Sequence, residues 1–410
     1  MRSKGFTIVE LLVSVVVAGV ALAGIYYYYS AVQGSMREQG RISQAQLEAR
    51  LGMELIASDL QRAGFLATPN SVVDPSVTQQ APGATALQLI QPIVFHDGTV
   101  GKVWPASADF VPNAPQNVNI APDDVTLYGN YLNADEYLAD TINAAAGTVR
   151  LQPLLNYPIP GTATGGAAPL LVLNNQQFQE LFPLTAFLRI VNRSGIAQFT
   201  RIASVDFPTL KITVNPLPLQ DGPGQTGGIV GFCDGCRVNV VNGVLYRIER
   251  RLNDPATPDD ESLITDLVRY FVNQAGAPLP AVREVVVAYA VDFQVWFRAC
   301  QPGAGGGAAT ATINLNPNIP LDNVVVIGGA AIPLDGTLAA HPELIRSAIV
   351  RVTVRTRTED PKFMFRPRTD PQDRIKAFDV YPTAEGAAHV RSYTTEVEMP
   401  NIAFMSLGGC

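Results

Sequence analysis

Histidine is nearly absent from this sequence, and charge is thin. Of 410 residues only three are histidine (His96, His341 and His389), too widely separated to share metal-ligand spacing. Charged residues make up 16% of the chain, and no basic stretch is interleaved with aromatics, so nothing supports nucleic-acid binding. No nucleophile elbow, phosphate loop or zinc-protease motif is present. The sequence therefore predicts neither an enzyme nor a bound cofactor or metal. Glycine and proline are frequent but aperiodic, which excludes a collagen-like chain. Apolar runs recur to the end of the sequence, which excludes a disordered one. Low charge with many Gly/Pro breaks favours a loop-rich β domain over a helical bundle. The length accommodates one anchor plus one large domain or two ordinary ones.

Proline is missing altogether from Met1 to Thr68. Residues 1–5, Met-Arg-Ser-Lys-Gly, are short, polar and basic. Phe6 to Val32 then form a long apolar run, interrupted early by Glu10. As a helix that run spans about 40 Å, enough to cross a bilayer. Arg2 and Lys4 hold the start in the cytoplasm and leave the rest of the chain in the periplasm. Beyond Val32 the chain is polar, but Ile42, Ala45, Ala49, Met53, Ile56, Leu60 and Ala63 recur at helical spacing. One long helix is expected from Phe6 to about Leu66, with Pro69 ending the pattern and Gly64 suited to a helix C-terminus where φ turns positive.

Three readings compete for this N-terminus. Ala21-Leu22-Ala23 before Gly24 resembles a secretory cleavage site, but the apolar run continues past it through Tyr26 to Tyr29. A plain signal anchor would leave Glu10 unexplained. A carboxylate inside a membrane helix is expensive and needs a partner. Cleavage after Gly5 would free the α-amine of Phe6 one helical turn from Glu10, so that one subunit's carboxylate reaches a neighbour's positive terminus.

The stretch Lys4-Gly5-Phe6-Thr7-Ile8-Val9-Glu10-Leu11-Leu12 resembles the processing motif of type IV pilins and type II secretion pseudopilins. The resemblance implies cleavage by a prepilin peptidase between Gly5 and Phe6, N-methylation of Phe6, and a role for Glu10 in assembly. Loss of Arg2 and Lys4 with residues 1–5 takes the formal net charge from −7 to −9. Asp59-Leu60-Gln61-Arg62-Ala63-Gly64-Phe65 resembles the end of the long helix in PilW-like minor pilins. Val244-Leu245-Tyr246-Arg247, then Val285 to Phe297, then Ile345 to Val352 follow the order in PilW-like and GspJ-like proteins. The resemblance implies an α+β, type IV pilin-like fold: a long N-terminal helix packed on a large β-rich head.

It implies in turn a minor pilin that helps initiate pilus assembly near the tip, serving adhesion or twitching motility. Other major and minor pilins are its expected partners, with a PilY-type tip adhesin as a further candidate. The chain would sit in the inner membrane with its head in the periplasm, then move to the pilus at the cell surface. A GspJ-like secretion pseudopilin is the nearest alternative, and a non-polymerising, membrane-anchored binding or adhesion protein is another.

The expected divisions are a leader at 1–5, a transmembrane and assembly half-helix at 6–32 and an amphipathic half-helix at 33–68. A β-rich stretch at 69–228, as an insertion or subdomain, and a β-rich head at 229–410 follow. Strands are expected at Ala86–Ile90, Val125–Tyr131, Leu170–Leu173, Phe187–Val191, Lys211–Val214, Val238–Val241 and Val244–Glu249, then at Val285–Phe297 and Val324–Ile327. Ser347–Thr358 is the best of all, with one buried and one basic face and His389–Met399 as a candidate partner. Leu263–Asn273 is read as a short helix or a strand, and 158–168, 217–228 and 303–309 as loops.

Cys233, Cys236, Cys300 and Cys410 make an even count, which in an exported chain suggests disulfides with three pairings open. Cys233-Asp234-Gly235-Cys236 sits among turn residues rather than at a helix start, which disfavours redox work, and zinc would need two further ligands. Asn253 to Glu261 is acidic but lacks EF-hand spacing, so it is read as an ordinary loop.

Overall fold

The computed structural model describes residues 8–70, 74, 76–77, 90–96, 120, 122–132, 135–152, 175–193, 195–207, 209–215, 236–251, 264–299, 324–327, 330–333, 342–365, 375–380 and 386–403. The chain begins with α1 (Ile8–Arg62), 55 residues without a break. The absence of proline permits that length. The stop comes at Arg62 rather than near Leu66, and Gly64 makes it, not Pro69. Gly64 takes φ +78°, a conformation open to glycine and costly for other residues. Its N–H leaves the helix pattern and donates to Tyr128 O at 2.8 Å, so the helix end is stitched directly to a strand.

The first strands are β1 (Ile93–His96), β2 (Asp124–Gly129), β3 (Tyr137–Asn143) and β4 (Thr148–Leu151). A short helix, α2 (Asn175–Leu181), precedes β5 (Phe187–Val191), β6 (Ala197–Asp206) and β7 (Lys211–Asn215). They are followed by β8 (Arg237–Arg250), β9 (Thr265–Val272) and β10 (Glu284–Val287). Six of these close into an antiparallel ring: β8 pairs β3, β3 pairs β4, β4 pairs β7, β7 pairs β6, β6 pairs β5, and β5 returns to β8. Closure removes the unpaired edges that make an open sheet sticky. Val149, Leu188, Ile190, Ile212, Val238 and Val240 fill the barrel, and Phe178 and Phe182 at α2 pack against them.

β8 is long enough to serve two structures. Its first residues, Arg237–Val241, belong to the barrel. Asn242 to Arg250 lie between β2 and β9 in a second, open sheet ordered β1-β2-β8-β9-β10. A third sheet holds β11 (Ala290–Ala299), β14 (Ile345–Arg355), β16 (Ala388–Glu398) and β15 (Ala377–Phe378), in that order. β12 (Val324–Ile327) and β13 (Ala330–Pro333) form a separate hairpin, and α3 (Pro400–Ala403) follows β16. The main core lies where α1, the open sheet and the third sheet meet. Leu127, Tyr246 and Leu267 come from one sheet, Phe293, Val350 and Val352 from the other. The whole is an apolar N-terminal helix followed by a β-rich head, consistent with the α+β, pilin-like expectation.

Three local expectations change. Val238–Val241 and Val244–Glu249 are one strand, although Asn242-Gly243 is a strong turn signal. Neighbours impose the extended chain there. A Cβ on Gly243 would come within 2.5 Å of Val272 and 2.7 Å of Tyr128, so glycine is present for close packing across the sheet. Conversely, Val285–Phe297 is two strands in two sheets. The chain turns at Ala288-Tyr289, where Tyr289 has φ +56° and its N–H donates to Asp266 Oδ1 at 3.1 Å. Finally, of the expected basic face of Ser347–Thr358, carried by Arg351, Arg355 and Arg357, the first two are buried, while Arg357 lies past the end of β14 and is exposed. Arg351 pairs with Asp292 at 3.3 Å beside Trp296, and Arg355, 1% exposed, lies between the rings of Tyr289 and Phe378.

Phe187–Val191 is a strand, as is 265–272 within the ambiguous 263–273 stretch, and β16 pairs antiparallel with β14. Residues 86–89 and 170–173, the three expected loops and the acidic stretch 253–261 lie outside the described residues.

Candidate functional site

The helix carries the chemistry, and its two halves meet different surroundings. Gly5 and Phe6 lie outside the described residues. Glu10 falls in the first described turn of α1, with its side chain outside the description. From Leu11 to Ser30 the helix is apolar, with mean hydropathy 2.0, and none of it is buried by the head. Twenty residues at about 1.5 Å each match a hydrocarbon core of roughly 30 Å. A bare apolar cylinder of this size needs cover from lipid or from other helices.

The second half sits on the head. Ala49, Met53, Ile56, Leu60 and Ala63 form the buried stripe that their spacing indicates. Gly52 sets the closest approach: a Cβ there would lie 2.2 Å from Val287 Cγ2 and 2.9 Å from Val286 O. Gly129 does the same at the end of β2, where a Cβ would lie 2.6 Å from Arg62 O. Asn130 N–H donates to Phe65 O at 2.9 Å, and Asn401 Nδ2 to Gln61 O at 2.6 Å, so the last turn is held from two sides.

Among these apolar contacts lies one carboxylate. Asp59, 3% exposed, accepts from Tyr246 Oη at 2.6 Å and from Arg269 Nε at 2.7 Å, while Tyr131 Oη donates to Asp59 O at 3.1 Å. Each partner belongs to a different part of the open sheet: β8, β9 and the segment after β2. Burial pushes the Tyr246 and Tyr131 hydroxyls well above their ordinary value, and the Asp59 charge pushes them further. For Arg269 burial is the largest single effect and opposes the cation, but Asp59, Tyr246 and Glu284 together outweigh it and the pKa is raised. A buried ion pair with two tyrosine bonds fixes the helix in one rotational and axial position.

Sequence reasoning placed Asp59 in a family-like run without finding this role. A signal existed: Asp59 lies three residues after Ile56 and beside Leu60, on the buried face, where a carboxylate demands partners. Tyr246 lies in the family-like run Val244-Leu245-Tyr246-Arg247, whereas nothing in the sequence around Arg269 sets it apart.

Among the described residues, none of the other candidates bonds to Asp59. Cys236 is buried and disulfide-bonded, and Cys233, Cys300 and Cys410 lie outside the described residues. His96 ends β1, and His341 lies outside the described residues. His389 contacts Asp360 at 3.2 Å and stacks on Phe363 with ring centroids 4.2 Å apart. Among the described residues no group of three His, Cys, Asp or Glu side chains could hold a metal.

Residues 1–26 match the model of the prokaryotic N-terminal methylation motif. Together with the uncovered apolar helix, this supports a type IV pilin-like or pseudopilin protein. The motif implies processing by prepilin peptidase and assembly with other pilins, and the helix is consistent with anchoring through the N-terminus. No curated protein sequence and no solved structure matches the chain.

Proposed function

We propose that this chain is a minor pilin of a type IV pilus, a non-enzymatic subunit that helps to start assembly and stays near the tip. Its helix anchors it in the inner membrane with the head in the periplasm. A prepilin peptidase cuts between Gly5 and Phe6, the new Phe6 amine is methylated, and Glu10 pairs with the amine of a neighbouring subunit. Other pilins bind along the helix, and a PilY-type adhesin is the candidate partner at the tip.

The observation that carries this reading is the bulk of the head. A six-stranded barrel is added to the two sheets that seat the helix. A subunit of this width crowds its neighbours if repeated at every filament position, whereas at the tip it has free space. Pili sheared from cells carrying the intact gene should contain the chain in small amounts, with a methylated N-terminal phenylalanine by mass spectrometry. Deletion should abolish piliation and spare protein secretion. Loss of secretion with normal pili would instead assign the chain to a secretion pseudopilus. Detection only in the membrane, with both processes intact, would leave a non-polymerising anchored protein.

A further inference from the structure

The apolar half of α1 ends in four consecutive tyrosines, Tyr26 to Tyr29, which neither assembly through Glu10 nor the seat on the head uses. All four are well exposed, at 75%, 77%, 72% and 59%. Successive residues on an α-helix point about 100° apart, so four in a row leave no side of the helix without a phenol. A contact with a single partner uses one face of a helix. An all-round ring suits an environment that is the same in every direction, which is the plane of a membrane surface.

The polarity gradient points the same way. On the N-terminal side, Leu11 to Ile25 contains one polar residue, Ser14. On the C-terminal side, Ser30 Oγ donates to Tyr27 O at 2.8 Å and Gln33 Nε2 donates to Tyr29 Oη at 2.6 Å. Tyrosine has an apolar ring and a polar tip, and is enriched where hydrocarbon meets headgroups. Length agrees as well. Ile8 to Ile25 covers about 27 Å, so the ring falls within a turn of the far boundary of a hydrocarbon core roughly 30 Å thick.

We infer that Tyr26–Tyr29 form a collar that seats the unassembled subunit at the periplasmic headgroup boundary and fixes its depth in the bilayer. The inference rests on membrane anchoring through α1 and does not depend on the pilus assignment. One consequence concerns Glu10. It lies about 24 Å below the collar along the helix, near the cytoplasmic boundary, so its carboxylate is kept out of the bilayer centre. The collar thereby presents Glu10 at a set depth before any partner arrives.

The test maps the boundary in cells that lack other pilins. Full-length chains carrying Gly24→Cys, Val32→Cys or Ser35→Cys are exposed from the periplasm to a membrane-impermeant maleimide, with the unaltered chain as blank. Gly24→Cys should label roughly tenfold less than Ser35→Cys, and Val32→Cys should label freely. Changing all four tyrosines to leucine extends the apolar run, so the helix should settle deeper, shifted toward the cytoplasm, and Val32→Cys labelling should fall several-fold. Free labelling at Gly24→Cys overturns the inference. So does an unchanged Val32→Cys signal in the leucine chain, the result expected if the ring packs only against neighbouring subunits. No filament is needed, so failure of the pilus assignment and failure of the collar read out separately.

Discussion

From Ile8 to Ser30 every described side chain of α1 is exposed, although nearly all are apolar; from Ala49 to Leu60 one stripe of the same helix is buried to 7% exposure or less. No break in hydrogen bonding separates the halves. They differ in who supplies the cover: the chain's own head for the second, lipid or other subunits for the first. Folding and assembly are thus divided along one helix, and a residue's effect should depend on which half holds it.

The largest effect is expected from Glu10→Ala. The chain should insert, and its head should melt at the wild-type temperature, while the amount in sheared filaments falls by roughly an order of magnitude or more as a buried charge loses its partner. A lowered head melting temperature would break the division. Asp59→Ala should do the reverse, leaving membrane insertion intact and destabilising the head by about 3–5 kcal/mol in denaturant titration. Pairing Asp59→Leu with Arg269→Met should recover much of that loss, because no charge is then left buried alone.

Glycines give a matched pair between the halves. Gly52→Ala should cost about 1–3 kcal/mol, since its Cβ meets Val287 and backbone. Gly24→Ala, which meets nothing within 4 Å, should leave head stability unchanged. The finest effect is alkaline. Burial holds Tyr246 and Tyr131 well above the ordinary tyrosine value and Tyr128 at about 12. Above pH 10 the unfolded chain releases these protons while the folded head keeps them, so stability falls as pH rises. Tyr246→Phe should remove roughly 1 kcal/mol per pH unit of that slope, read from melting curves between pH 9 and 11.

The helix was legible in the sequence because its signals are local: no proline, a 3.6-residue stripe, one misplaced carboxylate. The strands were legible where a short apolar run sufficed, as at Phe187–Val191. The barrel was not. β3, β4 and β6 carry polar residues on their outer faces, and their closure on β8 joins segments about a hundred residues apart, such as Tyr137 with Val238. Asn242-Gly243 misled because turn propensity is a weak local preference, overridden here by Tyr128 and Val272 packed against the glycine. Arg351 and Arg355 misled because arginine ordinarily marks a wet face; their cover comes from Asp292, Trp296, Tyr289 and Phe378, all from other elements. Arg269 could not be paired with Asp59 from sequence, since only the folded sheet brings them within 2.7 Å.

The double membership of β8 has a mechanical meaning. A pull on the barrel enters at Arg237–Val241, runs along one unbroken backbone through Gly243, and reaches Tyr246, whose hydroxyl grips Asp59 on the helix. Along that route the β8 ladders with β2 and β9 are loaded in shear, many hydrogen bonds at once, instead of being peeled one by one. The strand works as a tie-rod between the barrel and the helix that anchors the subunit.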